Sequence, residues 1–176
     1  MRDNIRKTII AGFFCMLICI GAQIKIPLFP IPVTLQLFAV NTSILAQRGR
    51  YPAMTLIGYA VLGLFGLPVF AGGGGIAYVL TPSFGYILGF IAAATVSSVL
   101  AQCFNRVTHS VINYAVIYAF GLSYFYALSH IYLNSDITIS KMLLTGFLIF
   151  LPGDVISLAF SVVLLGVLER RKLIAS

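Results

Sequence analysis

Between residues 8 and 168 the chain is a succession of apolar runs whose charged residues stand at the run ends, with Asp154 the exception. A helix needs about 20 apolar residues to cross a hydrocarbon core about 30 Å thick. The runs 8–26, 34–47, 52–67, 84–104, 110–132 and 141–168 give six candidate spans, the second short and the sixth interrupted at Pro152-Gly153. With 60% hydrophobic and 9% charged residues and a mean hydropathy of +1.05, the chain has too few charges to coat a soluble globule. The expected class is an all-α membrane protein with six transmembrane helices, forming one domain over residues 1–176. The basic head and apolar body of residues 1–26 also resemble a secretory leader, but no cleavage site closes the run, which reads as the first span.

The net charge of +7 and pI near 9.6 are topological rather than a nucleic-acid signature, because the cations cluster at the ends of apolar runs. With six spans and both termini inside, Arg2, Arg6, Lys7, Arg48, Arg50, Arg106, Arg170, Arg171 and Lys172 fall on the inner side. Only Lys25 and Lys141 fall outside. That division is the one expected of a cell-membrane protein with cytoplasmic termini.

Residues 66–90, GLPVFAGGGGIAYVLTPSFGYILGF, carry no charge and break the helical pattern on the outer side. Four consecutive glycines, Gly72 to Gly75, cannot hold a stable helix. Irregular backbone near membrane depth is tolerated where protein covers it or where it lines a cavity. The segment is expected to be an outward-facing loop closing a ligand pocket, with Tyr78, Phe84 and Tyr86 either covering a ligand or anchoring at the interface.

Asp154 is the one acidic residue inside a span; Asp3 and Glu169 lie at the inner ends and Asp136 in an outer loop. A carboxylate at a helix centre costs about 2.5 to 3.5 kcal/mol on insertion, which points to ligand contact or to an interhelical hydrogen bond. Gln36 offers an amide that donates and accepts, either to a ligand or to cap the proline-rich segment. Asn41 is expected to pack, Lys25 to snorkel or attract an anion, and His109 and His130 to sit at the interface. Cys15, Cys19 and Cys103 read as small packing residues, without metal or disulfide chemistry. Ala11, Cys15 and Cys19 recur every four residues, a small-residue stripe that lets helices approach closely within the chain or between chains. There is no nucleophile–base pair, no metal-ligand cluster and no GxxxxGK phosphate loop. Binding or transport is favoured over catalysis, with a membrane enzyme using Asp154 as the remote alternative.

The segments PIPVTLQ (30–36), GLPVFAGGGG (66–75), PSFGYILGF (82–90) and PGD (152–154) occur in the order found in the BioY family, which the chain resembles over nearly its whole length. The resemblance implies an S component of an energy-coupling-factor (ECF) transporter: six helices holding biotin in an outward-facing pocket. A transmembrane coupling protein and two cytoplasmic ATPases would be separate chains. It further implies a ligand contact from Asp154, with Ser157 at the neighbouring position of the site's polar end, no cofactor, and docking of the coupling protein on the stripe Ala11, Cys15 and Cys19; the chemistry of biotin adds Gln36, Gly73, Gly74 and Tyr86 as candidate ligand contacts. Three positions depart from the family pattern: Ser157 stands where a lysine is usual, and Ser83 and Phe84 make PSFGY of the usual PTGGY. These departures leave room for a related ligand such as lipoate or dethiobiotin. The glycine loop is expected to offer backbone N–H groups to the carboxylate of the ligand's tail.

Overall fold

The computed structural model describes residues 2–28, 30–100, 104–132 and 138–170. Cys103, Asp136, Arg171, Lys172 and the side chain of Glu169, all assigned places above, lie outside the described residues. The first helix, α1 (Arg2–Gln23), stops before residue 26, where a continuous span was expected. Ile26 precedes Pro27, whose ring pushes the preceding residue towards extended backbone. Lys25–Ile26 (β1) accordingly pairs antiparallel with Val33–Thr34 (β2), Lys25 opposite Thr34 and Ile26 opposite Val33.

Three shorter helices follow: α2 (Gln36–Ala46), α3 (Tyr51–Leu64) and α4 (Phe84–Leu100). The third ends three residues sooner than the apolar run, because Gly66 turns the chain with φ +99°. Leu67 N–H then bonds Leu62 O (3.3 Å) and Gly66 N–H bonds Gly63 O (3.1 Å), satisfying two carbonyls of the last turn. A 3-10 turn, Ile76–Leu80, lies between α3 and α4. The next helix, α5 (Arg106–Ile131), begins four residues ahead of the expected span. Asn105 is its N-cap, accepting from Thr108 N–H at 2.9 Å.

The last run contains α6 (Ile139–Leu143), one π turn (Leu144–Leu148) and α7 (Leu151–Arg170). The interruption therefore falls before Pro152 rather than at Pro152-Gly153. Proline lacks an N–H but is tolerated in the first turn of a helix, so the ladder breaks on its N-terminal side.

With α6 to α7 counted as one interrupted helix, the described residues form six α-helical segments. Among the described residues three are long and apolar enough to span a membrane: 3–23, 106–131 and 139–168. The helices α2, α3 and α4 have 11, 14 and 17 residues.

Helix α2 runs through the middle, packed on α1, α5 and α7. Its polar side chains are buried and paired: Asn41 Nδ2 donates to Ser110 Oγ (3.0 Å), Asn113 Nδ2 to Asn41 Oδ1 (3.4 Å) and Thr42 Oγ1 to Ser161 Oγ (3.0 Å). Such bonds join helices where lipid offers no partner. Helices α4 and α5 approach so closely at Gly89 that a Cβ there would sit 2.8 Å from Ile117 O. His109, expected at the interface, is buried instead, with Nε2 2.5 Å from Ser97 Oγ on α4. Exposed His130 lies edge-on against Tyr126, ring centroids 4.3 Å apart. Tyr51 OH donates to Asn4 Oδ1 (3.3 Å), bringing the start of α1 to the end of the bundle that carries Arg48 and Arg50.

Candidate functional site

A cavity opens between the β hairpin, the starts of α2, α4 and α7, the middle of α5 and the glycine-rich loop. About 580 Å³ of atom-free space lies within it when the open solvent at its mouth is counted. Ile31, Ile87, Phe90, Ile117 and Phe150 give it apolar walls. Thr34, Gln36, Ser83 and Asp154 supply polar atoms, and Tyr78, Tyr86 and Tyr118 supply rings with a polar tip.

Three residues expected to bind a ligand meet here: Asp154, Gln36 and Tyr86. Asp154 lies in the first turn of α7, where the helix dipole favours a carboxylate, and its N–H bonds Phe150 O at 2.9 Å. The hydroxyl of Tyr118 donates to Asp154 Oδ2, which leaves Oδ1 outside that bond. No cation pairs with Asp154 among the described residues; the exposed Lys7–Asp3 pair, at 3.4 Å, lies at the start of α1.

Tyr86 fixes one wall. Its hydroxyl donates to Gly146 O at 2.6 Å, a carbonyl set aside by the π turn, since Phe150 N–H bonds Phe147 O and Ile149 N–H bonds Leu144 O. The Tyr86 ring meets that of Tyr118 edge to face at 6.0 Å, and Tyr118 meets Phe147 at 4.8 Å. Sequence reasoning missed Tyr118 and Tyr59. The signal available was their place within spans, since tyrosines serving only as anchors collect at the interfaces.

Gln36 begins α2 and is buried. Its Nε2 donates to Tyr59 OH (3.0 Å), and Tyr59 OH donates to Val69 O (3.2 Å) in the loop. Side chains hold neighbouring loop carbonyls as well: Gln23 Nε2 donates to Pro68 O (3.0 Å) and Phe70 O (3.2 Å), and Lys25 Nζ to Ala71 O. Tyr124 OH donates to Val79 O further on. Lys25 thus fastens the loop and is not among the residues lining the cavity with Asp154.

Gly73, Gly74 and Ser157 do not line the cavity; the loop reaches it through Ala71 and Tyr78. Of the N–H groups expected to form an anion nest, that of Gly73 bonds Phe70 O (3.0 Å) and that of Gly75 bonds Gly63 O (2.7 Å), so these two donors are used in folding the loop. Gly73 has φ +121°, and a Cβ on Gly74 would lie 2.1 Å from Leu67 O, so both glycines serve the tight turn. The Ser157 carbonyl accepts from Ser161 Oγ at 2.8 Å.

The small-residue stripe turns into the bundle. Ala11 is buried, its carbonyl accepting from Thr55 Oγ1 (3.4 Å), and half-buried Cys15 and Cys19 pack against the main core. The exposed face of α1 carries the large apolar residues Ile9, Phe13, Met16 and Ile20, with Gly12 among them.

Comparison with known proteins gives a consistent result. The family model described as "BioY family" matches residues 1–173. The chain is 40% identical over 155 residues to the "Biotin transporter BioY" of Thermotoga maritima, covering 87% of this chain and 89% of that one. It is 36% identical over 152 residues to the "Probable biotin transporter BioY" of Lysinibacillus sphaericus, covering 83% and 78%. Among solved structures it resembles the crystal structure of the S-component for biotin from an ECF-type ABC transporter. That match has a TM-score of 0.77 and 22% identity over 96% of this chain and 93% of that one, a likeness of fold.

Proposed function

The chain belongs to the BioY family, and from that premise we propose that it is a biotin-capturing S component, folded as one membrane domain. Its role is transport rather than the Asp154 catalysis considered from sequence, since relatives across the family are transporters. We place it in the cell membrane with both termini cytoplasmic. In support, Arg48, Arg50 and the start of α1 share one end of the bundle, whereas Lys25 and the loop lie at the other. A transmembrane coupling protein and two ATPases would complete the transporter. Of the expected docking stripe, Cys15 and Cys19 retain partial exposure for such a partner, whereas Ala11 does not.

The observation that carries the reading is the convergence of Asp154 and Gln36 in one cavity with apolar walls. Biotin presents a cyclic urea with two N–H donors and one carbonyl, a thioether ring and an aliphatic acid tail. Asp154 Oδ1 accepts one urea N–H, and the aromatic wall of Tyr86, Tyr118 and Phe150 covers the fused rings. The tail carboxylate lies towards the hydroxyls of Thr34 and Ser83, which line the cavity where Gly73 and Gly74 do not.

The test is equilibrium binding of biotin to the purified chain in detergent, with lipoate and dethiobiotin as competitors and an Asp154→Asn variant alongside. Biotin is expected to bind with preference over both, and the variant to bind at least tenfold more weakly, because an amide cannot accept from the urea with a full negative charge. Equal affinity in the variant would refute the Asp154 assignment. Preferential binding of lipoate would assign the site a different ligand.

A further inference from the structure

The hydroxyl of Tyr59 does not line the cavity, yet it decides what Gln36 can offer there. A tyrosine hydroxyl carries one hydrogen. Val69 O, 3.2 Å away, is a carbonyl and can only accept, so that hydrogen is directed to the loop. The oxygen of Tyr59 is then left as an acceptor towards Gln36, whose amide must turn Nε2 to it at 3.0 Å. The reverse orientation would set Gln36 Oε1 against a hydroxyl whose hydrogen is already engaged. The amide is buried, so water does not compensate for the wrong choice.

We infer that Tyr59 is a positioning residue for specificity: through the relay Val69–Tyr59–Gln36 it fixes the Gln36 carbonyl oxygen as the face presented to the ligand. This rests on the proposed binding of biotin and adds to it. The cavity lining then offers two acceptors, Gln36 Oε1 and Asp154 Oδ1, which matches a ring with two N–H donors and penalises a ring with only one.

The relay also ties this selectivity to the loop. Val69 lies within the segment whose carbonyls are held by Gln23 and Lys25. With the loop in place Gln36 is an acceptor; with Val69 withdrawn, Tyr59 regains a hydrogen for Gln36 Oε1 and the amide can reverse. The preference for a urea is a property of the closed arrangement.

The experiment measures binding of biotin and of its two cyclic carbamate analogues, in which one or the other ureido N–H is replaced by oxygen. The proteins are the wild-type full chain, Tyr59→Phe, Gln36→Ala and Tyr59→Phe/Gln36→Glu, all in detergent. In the wild type, both carbamates are expected to bind at least tenfold more weakly than biotin. In Tyr59→Phe the deficit of one carbamate should shrink to about threefold or less, as the released amide turns Nε2 towards the ring oxygen, while the other keeps its deficit. The double variant, with acceptors only at position 36, should restore the lost discrimination. A Tyr59→Phe change that lowers all three affinities by one common factor, or that leaves them all unchanged, overturns the inference. If Gln36→Ala binds biotin as well as wild type does, contact between Gln36 and the urea fails first, separately from the role of Tyr59.

Discussion

Alanine substitution along the four-glycine run should produce a rank order set by a different physical cause at each position. A Cβ on Gly74 would lie 2.1 Å from Leu67 O and 2.7 Å from its carbon, about 1 Å inside contact and against backbone rather than a movable side chain. The Leu67 peptide must retreat, disturbing the Gly75 N–H to Gly63 O bond beside it. Overpacking of this kind costs about 1–3 kcal/mol. Gly75 has φ 99° and ψ 165°, a region nearly confined to glycine, and alanine there costs about 1–3 kcal/mol without any clash. At Gly72 the new methyl meets only the edge of the Tyr78 ring at 3.1 Å, which can yield by a few tenths of an ångström. If binding requires the closed loop, Gly74→Ala and Gly75→Ala should lose ~5- to ~150-fold in biotin affinity, and Gly72→Ala should stay within a few-fold. Titration in detergent measures this, with melting temperature separating loop damage from global unfolding. Wild-type affinity in Gly74→Ala, or a larger loss in Gly72→Ala, would refute the steric account.

Two further outcomes follow from buried and bridging side chains. Asn41→Leu leaves Ser110 and Asn113 without their partner on α2; the melting temperature should fall, corresponding to about 1–2 kcal/mol, with biotin affinity little changed because Asn41 lies outside the cavity lining. Lys25→Met removes the donor to Ala71 O. Biotin dissociation should accelerate several-fold with little change in association, read by stopped-flow or by chase of bound radiolabelled ligand.

Sequence and structure agree most where a single residue has few physical options. A lone carboxylate in an apolar run, Asp154, does line a cavity, and the uncharged glycine segment does interrupt the helices beside it. Helix ends were read less well, because hydropathy continues past the point where backbone geometry changes. Leu67 is as apolar as Leu64, but Gly66 has already turned the chain, and Ile26 is as apolar as Ile20, but Pro27 has already extended it. Tyr118 and Tyr59 were missed because their value comes from partners 36 and 23 residues away in sequence. The use of Gly73 N–H and Gly75 N–H within the loop was not legible either, because a sequence shows which N–H groups are unencumbered by side chains, not which ones the loop uses for itself.

The shortness of α3 and α4 bears on the surrounding lipid. At 1.5 Å per residue, 14 and 17 residues rise only about 21 and 26 Å, whereas the 22 residues of α1 rise about 33 Å. The protein therefore meets the bilayer with unequal hydrophobic height around its circumference. Above the short helices the apolar cover comes from exposed loop side chains such as Phe65, Ile76 and Leu80. Mismatch costs fractions of a kcal/mol per Å, so bilayer thickness acts on this molecule asymmetrically. Lengthening the acyl chains stresses the loop side first, and the lipid becomes a variable that bears on how readily the cavity stays closed.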